Sequence, residues 1–205
     1  MYVKVCGLDT VAAAEVAVAA GADAVGVVMS RTSPRRRTFA EAAPIVAAVR
    51  DRVDTVLVVN DTPAAEAAEI AGRLGVAVLQ LHGPYTRADF AAARAIFPRL
   101  WRATSLAEDP DLTVGAWDEE LILLDAPRPG SGERWDLSAL RARRPVGNWL
   151  LAGGLNPGNV AEAVAAADPW GVDVSSGVES APGVKDHDRV RAFLDAARGA
   201  RTLER

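Results

Sequence analysis

The chain has 205 residues, half of them apolar and 24% charged, with a formal net charge of −4. That length suits one domain with a sizeable core, spanning residues 1–205, and the acidic balance gives no support to a nucleic-acid partner. No apolar run approaches the ~18 residues of a membrane span; with a single cysteine and no export signal, the expected compartment is the cytoplasm.

The first predicted strand, residues 2–6, reads Tyr2-Val3-Lys4-Val5-Cys6. Alternation puts Tyr2, Lys4 and Cys6 on one face and Val3 and Val5 on the other. Gly7 breaks the strand, and Asp9 or Thr10 caps a helix over 11–20, with Gly21 as its stop. Strand 2 (24–29) runs into a basic loop, Ser33-Pro34-Arg35-Arg36-Arg37, and a helix over 39–50. Strand 3 (55–59) precedes a helix over 63–74 that Gly75 ends. Strand 4 (77–81) carries Gln80, with His82 just beyond on the same face, before a helix over 87–97. Strand 5 (100–103) is followed by a gap around 111–116 too weakly periodic to define a helix. Strand 6 (121–125) ends in Asp125, followed by a loop to residue 136 and a helix over 137–143. Strand 7 (149–152) ends at Gly153-Gly154, with a helix over 157–167. Strand 8 (171–175) carries Asp173 and runs into Ser175-Ser176-Gly177; a helix over 188–198 and a charged tail close the chain.

Eight strands alternating with about eight helices imply an α/β fold with parallel pairing and right-handed crossovers. An open doubly wound sheet and a closed (β/α)8 TIM barrel both satisfy that order. No Gly-x-Gly-x-x-Gly follows the first strand, which favours the barrel. Such enzymes usually run to ~250 residues, so this one has short loops.

A barrel carries its chemistry at the C-terminal ends of its strands. Those ends hold a thiol (Cys6), an imidazole (His82), two carboxylates (Asp125 and Asp173) and glycine-rich turns. Gly153-Gly154-Leu155-Asn156-Pro157 and Ser175-Ser176-Gly177 have the composition of phosphate loops, in which glycines let backbone N–H groups approach an anion. Position alone favours Cys6 as a small buried hydrophobe over a reactive thiol. Asp125 reads equally as a general acid, if burial raises its pKa, or as a loop cap. One of Arg35, Arg36 and Arg37 suits a carboxylate clamp; a solvated basic loop accounts for the others. A lone His82 is more often structural. No metal-ligand spacing or nucleophilic-serine motif is present.

The segments VKVCGL, GADAVGVV, SPRR, LQLHG, LLDA, LAGGLNPGNV and DVSSGVESAPGVKD occur in that order over nearly the whole chain. In them the chain resembles the phosphoribosylanthranilate isomerase family of tryptophan biosynthesis. The resemblance implies a cofactor-free, metal-free (β/α)8 barrel acting on a small phosphoribosyl substrate by an Amadori rearrangement. It implies Cys6 as general base and Asp125 as general acid, on opposite sides of the substrate. It implies Arg35 at the anthranilate carboxylate, with Gln80, His82 and Asp173 as further substrate-binding residues. Gly153, Gly154, Ser176 and Gly177 match the family's phosphate cradle. Lys4, two residues from Cys6 on the same face, is placed to lower the thiol pKa if it stays charged. The loop after Asp125 is shorter and less glycine-patterned than the family's, and it would cover the substrate. The related histidine-pathway isomerase normally has an aspartate in place of Cys6 and two similar halves. Indole-glycerol-phosphate synthase uses a lysine–glutamate pair that is not seen here on the strand ends. A non-catalytic phosphosugar-binding barrel would have no need of Cys6 and Asp125 together. The oligomeric state stays open between monomer and homodimer.

Overall fold

The computed structural model describes residues 1–108, 111–126, 137, 140 and 143–200. Eight parallel strands close into one barrel in sequence order: β1 (Tyr2–Val5), β2 (Ala24–Val28), β3 (Asp54–Val59), β4 (Val78–His82), β5 (Leu100–Ser105), β6 (Leu121–Asp125), β7 (Trp149–Leu151) and β8 (Gly171–Val174). The ring closes where β8 pairs with β1, Lys4 opposite Asp173 and Val5 opposite Val174.

The two faces of each strand enter different cores. Outward residues such as Val3, Val5, Val27, Leu57, Leu79 and Ile122 meet the helices, whereas Cys6, Val28, Val58, Trp101, Leu123 and Leu150 fill the barrel. With both faces buried, the strands read as near-continuous apolar runs. At the N-terminal end Tyr2 stacks on Trp170, with centroids 4.6 Å apart, and meets Trp101 edge-on. Its hydroxyl donates to Asp54 (2.8 Å), so this end is plugged and polar chemistry is left to the other.

The helices are α1 (Val11–Ala19), α2 (Phe39–Val49), α3 (Ala64–Leu74), α4 (Arg87–Arg94), α5 (Val160–Ala167) and α6 (His187–Ala200). The Thr10 hydroxyl caps α1 by accepting from the Ala13 N–H, while Thr38 and Thr86 form capping boxes with Glu41 and Asp89. α6 buries Val190, Phe193, Leu194 and Ala197, one stripe at the helical period. Gly75 ends α3 in the left-handed conformation, at φ 71°.

Several expected boundaries shift for local reasons. β5 runs on to Ser105 because Thr104 and Ser105 pair with Leu124 and Asp125. α4 stops at Arg94, ahead of Pro98. α5 begins at Val160, since Asn156 first folds a turn by accepting from the Gly158 N–H. The gap after β5, left undefined by its weak periodicity, holds a turn and an isolated bridge between Thr113 and Val146, and six α-helices lie among the described residues. All but the first residue of the short loop after Asp125, and most of the helix expected over 137–143, lie outside the described residues, as does the tail over 201–205. A short antiparallel hairpin, β9 (Glu179–Ala181) with β10 (Val184–Lys185), follows β8 in a segment for which the sequence pattern predicts no element. Among the described residues no helix is long and apolar enough to cross a membrane.

Candidate active site

The C-terminal mouth of the barrel holds a cavity of about 310 Å³. Six of the ten predicted site residues line it: Cys6, Arg35, Gln80, His82, Asp125 and Asp173. β1 and β6 lie three strands apart through β8 and β7, so Cys6 and Asp125 face the same space from different walls. The other four residues, Gly153, Gly154, Ser176 and Gly177, do not line it; Gly153 stands against Asp125, and Ser176 and Gly177 follow the lining residue Ser175.

Cys6 is buried, and its backbone N–H donates to the Val174 carbonyl (2.8 Å). Gly26, in the middle of β2, makes room for the thiol: a Cβ there would lie 3.0 Å from Cys6 Sγ and 3.5 Å from Lys4 Cε. Lys4 is fully buried, with its ammonium 2.8 Å from Asp173 Oδ1. Burial disfavours the charge on Lys4, but the Asp173 carboxylate and the Cys6 thiolate outweigh it and hold the pKa above the ordinary value. Burial pushes the Cys6 thiol up; the positive charge of Lys4 opposes this, Asp173 adds to it, and Lys185 opposes it. Lys4 is therefore where the strand period puts it and pulls as expected, but desolvation wins and the net shift of Cys6 is upward.

Asp125 sits at the end of β6 with a side chain only 10% exposed. Burial raises its carboxyl to about 6, against the pull of the Ala126 N–H on Oδ1 (2.7 Å), and nearby Asp173 adds to the rise. His82 Nε2 stands 3.7 Å from Asp125 Oδ2. Burial, and then the charge of Lys4, lower the His82 pKa, so the imidazole is neutral at pH 7 and this approach is not an ion pair. Gln80 is 1% exposed, and its Oε1 accepts no hydrogen bond among the described residues. A buried acceptor on the wall of a cavity is open to a donor that enters the cavity.

Of the three loop arginines, Arg35 lines the cavity, Arg36 is exposed, and Arg37 donates to the Arg36 and Gly183 carbonyls. Arg35 is itself gripped by Glu179, Nε to Oε1 at 2.7 Å and Nη2 to Oε2 at 3.0 Å. Lys185 completes this cluster, donating to Glu179 Oε1 (2.8 Å) and to the Ser175 carbonyl (2.9 Å). Three cations, Lys4, Arg35 and Lys185, thus stand with three carboxylates, Asp173, Glu179 and Asp125, and protonation of Asp125, whose carboxyl is raised to about 6, leaves positive charge in excess. That surplus suits an anionic ligand.

The two glycine loops touch backbone to backbone. A Cβ at Gly177 would lie 1.9 Å from the Leu155 carbonyl oxygen, which requires glycine there. Gly153 and Gly154 have φ of 86° and 67°, the left-handed region, and a Cβ at Gly153 would lie 2.9 Å from Asp125 Oδ1. Ser176 opens a 3₁₀ turn, Ser176–Val178, whose first N–H groups lack intrahelical partners. Glu179, Lys185 and Gly26 escaped the sequence reading. Glu179 and Lys185 stand inside a quoted motif, but their partners lie on loops up to 144 residues away.

Residues 3–196 match the family model for N-(5'-phosphoribosyl)anthranilate (PRA) isomerase. The chain belongs to the PRA isomerase family. An N-(5'-phosphoribosyl)anthranilate isomerase from Paracoccus denitrificans is 43% identical over 209 residues, covering 95% of this chain and 96% of the relative. The crystal structure of TrpF from Jonesia denitrificans superposes with a TM-score of 0.91 at 58% identity, over 98% of both chains. A phosphoribosyl anthranilate isomerase solved with reduced 1-(o-carboxyphenylamino)-1-deoxyribulose 5-phosphate superposes at 0.83, with 30% identity, over 97% of this chain and 99% of that one. The PRA isomerases of known structure share the closed parallel barrel found here, and the chain is an isomerase of tryptophan biosynthesis.

Proposed function

We propose that the chain converts N-(5'-phosphoribosyl)anthranilate to 1-(2-carboxyphenylamino)-1-deoxyribulose 5-phosphate, with Asp125 as general acid and Cys6 as general base. The observation that carries this reading is the pairing of two groups of opposite duty on one cavity, one of them a carboxyl that burial raises to about 6. An acid poised near the working pH donates its proton readily and is still partly protonated at neutrality.

In this scheme Asp125 gives its proton to the furanose ring oxygen as the C1–O bond breaks. The nitrogen lone pair forms the C1=N bond, leaving an iminium cation. That cation acidifies the C2 proton, which the Cys6 thiolate takes from another side of the substrate. The C2–H electron pair becomes the C1=C2 bond of an enolamine, which tautomerises to the C2 ketone as C1 gains a proton. Acid–base catalysis of this kind is worth ~10²–10⁴-fold per group. The Lys4–Asp173 pair stands beside the thiol, and its ammonium favours the thiolate. Arg35 would hold the anthranilate carboxylate, the Gln80 carbonyl oxygen would accept from a sugar hydroxyl, and His82 would pack beside Asp125 as a neutral donor. The phosphate would lie on the loops of Gly153, Gly154, Ser176 and Gly177.

The test is to generate phosphoribosylanthranilate in place and follow the loss of its fluorescence on adding the purified chain. Turnover supports the reading, and no turnover overturns it. Rescue of a tryptophan auxotroph lacking this step tests the pathway role.

A further inference from the structure

Glu179 opens the hairpin that follows β8, and its carboxylate is almost wholly committed inside the protein. Oε1 accepts from Arg35 Nε (2.7 Å) and Lys185 Nζ (2.8 Å); Oε2 accepts from Arg35 Nη2 (3.0 Å) and the Gly183 N–H (3.2 Å). The side chain is 5% exposed. Four donors on two oxygens fix the carboxylate in position and direction.

The grip is on one edge of the guanidinium. Arg has five N–H donors in a planar fork, and Glu179 takes Nε–H and one Nη2–H. The remaining Nη2–H and the Nη1–H parallel to it form a second fork, on an arginine that lines the cavity. A fork of that kind matches a carboxylate bidentately, and its selectivity depends on its being held still. Lys185 does not compete for such a ligand, since its ammonium is directed at Glu179, the Ser175 carbonyl and the Ser175 hydroxyl.

The surrounding backbone leaves Arg35 little freedom. A Cβ at Gly7 would lie 2.7 Å from Arg35 Cδ, so the arginine stem lies directly over the turn that follows Cys6. A Cβ at Gly183 would lie 2.5 Å from the Pro34 carbonyl oxygen, so the hairpin tip presses on the residue before Arg35. The hairpin therefore acts as a bracket: Glu179 and Lys185 are paired across its two strands and join the loop after β2 to the end of β8.

We propose that Glu179 is a positioning residue which, by holding one edge of Arg35, makes the site selective for an N-aryl group that bears a carboxylate. This rests on the reading of Arg35 as the carboxylate clamp. The wild type then prefers the carboxylated substrate because the free fork is presented ready-made, and loosening it removes the preference while Cys6 and Asp125 both remain in place.

The experiment compares two N-glycosides, made by condensing ribose 5-phosphate with anthranilate or with aniline, which lacks the carboxylate. In the wild type, kcat/KM favours the anthranilate adduct. Glu179→Gln narrows that preference by about 10-fold or more, chiefly through KM for the anthranilate adduct, whatever change in kcat the two adducts share through Lys185 and Cys6. Glu179→Asp restores part of the preference. Glu179→Gln/Lys185→Met removes the ammonium that the single change leaves buried, and gives the same narrowing if the single variant does not fold. An equal loss on both substrates, with the preference intact, overturns the proposal and leaves Glu179 a structural residue. If Arg35→Lys also keeps the wild-type preference, the clamp reading of Arg35 falls, and this proposal with it.

Discussion

Replacing the proposed acid should make the protein more stable while it disables the chemistry. Asp125 has its carboxyl raised from 3.8 to about 6 in the fold. A carboxyl raised by folding binds its proton more tightly when native, so stability is highest when it is protonated and declines as pH rises through the window from 3.8 to about 6. At 1.36 kcal/mol per unit, the ionised carboxylate costs the native state about 3 kcal/mol at pH 7. By the same linkage the cost is only about 0.6 kcal/mol at pH 4. Asp125→Asn removes the charge and keeps an Oδ1 acceptor for the Ala126 N–H, which donates to Oδ1 at 2.7 Å in the wild type. Thermal unfolding at pH 7 should therefore show Tm raised by about 6–12 °C, at ~2–4 °C per kcal/mol for this chain length. Most of that gain should vanish at pH 4. A variant with equal or lower Tm at pH 7, or a gain that persists unchanged at pH 4, would refute the argument that burial strains this carboxylate.

Three further outcomes follow from the same geometry. The kcat/KM profile should rise to about pH 6, where Asp125 titrates, stay flat, and fall above the ordinary thiol range, where Cys6 titrates. The productive combination, carboxyl with thiolate, is then a minority of fewer than about one molecule in 300, taking ~8.5 as the lower limit for the thiol. In Asp125→Asn the plateau should give way to residual activity that climbs steadily with pH; an unchanged plateau would contradict the assignment of the lower limb. Lys4→Met should slow alkylation of Cys6 by iodoacetamide at fixed pH and cost about 3–5 kcal/mol by stranding Asp173, so Lys4→Met/Asp173→Asn is the better-folded comparison. An unaltered cysteine titration would remove Lys4 from the account. Gly153→Ala must place a Cβ 2.5 Å from that of Ala126, at φ 86°, and should cost about 1–3 kcal/mol with a lower kcat as Asp125 shifts. Wild-type Tm and kcat would show that the loop tolerates the side chain.

What the sequence made legible follows from period and punctuation. Tyr2, Lys4 and Cys6 share the barrel interior because a strand alternates with period two, and the alternation survives into the fold unaltered. The ring order came from the βα count, and the rim positions of His82, Asp125 and Asp173 followed from it. The hairpin of β9 and β10 was not legible, since three residues paired with two carry no periodic signal. Nor was the commitment of Arg35 to Glu179, which depends on two loops meeting across 144 positions. The balance of forces on Cys6 lay beyond the sequence for a different reason. Lys4 was visible as a neighbour, but the depth of burial that outweighs it is a property of the closed barrel.

The most direct test of the central claim is the turnover number for phosphoribosylanthranilate of wild type beside Cys6→Ala and Asp125→Asn, each confirmed folded. The account predicts measurable turnover by the wild type and a loss of about 10²–10⁴-fold in each variant, most of it in kcat. Wild-type turnover by either variant would contradict the assignment of that residue, and the absence of turnover by the wild type would contradict the account as a whole.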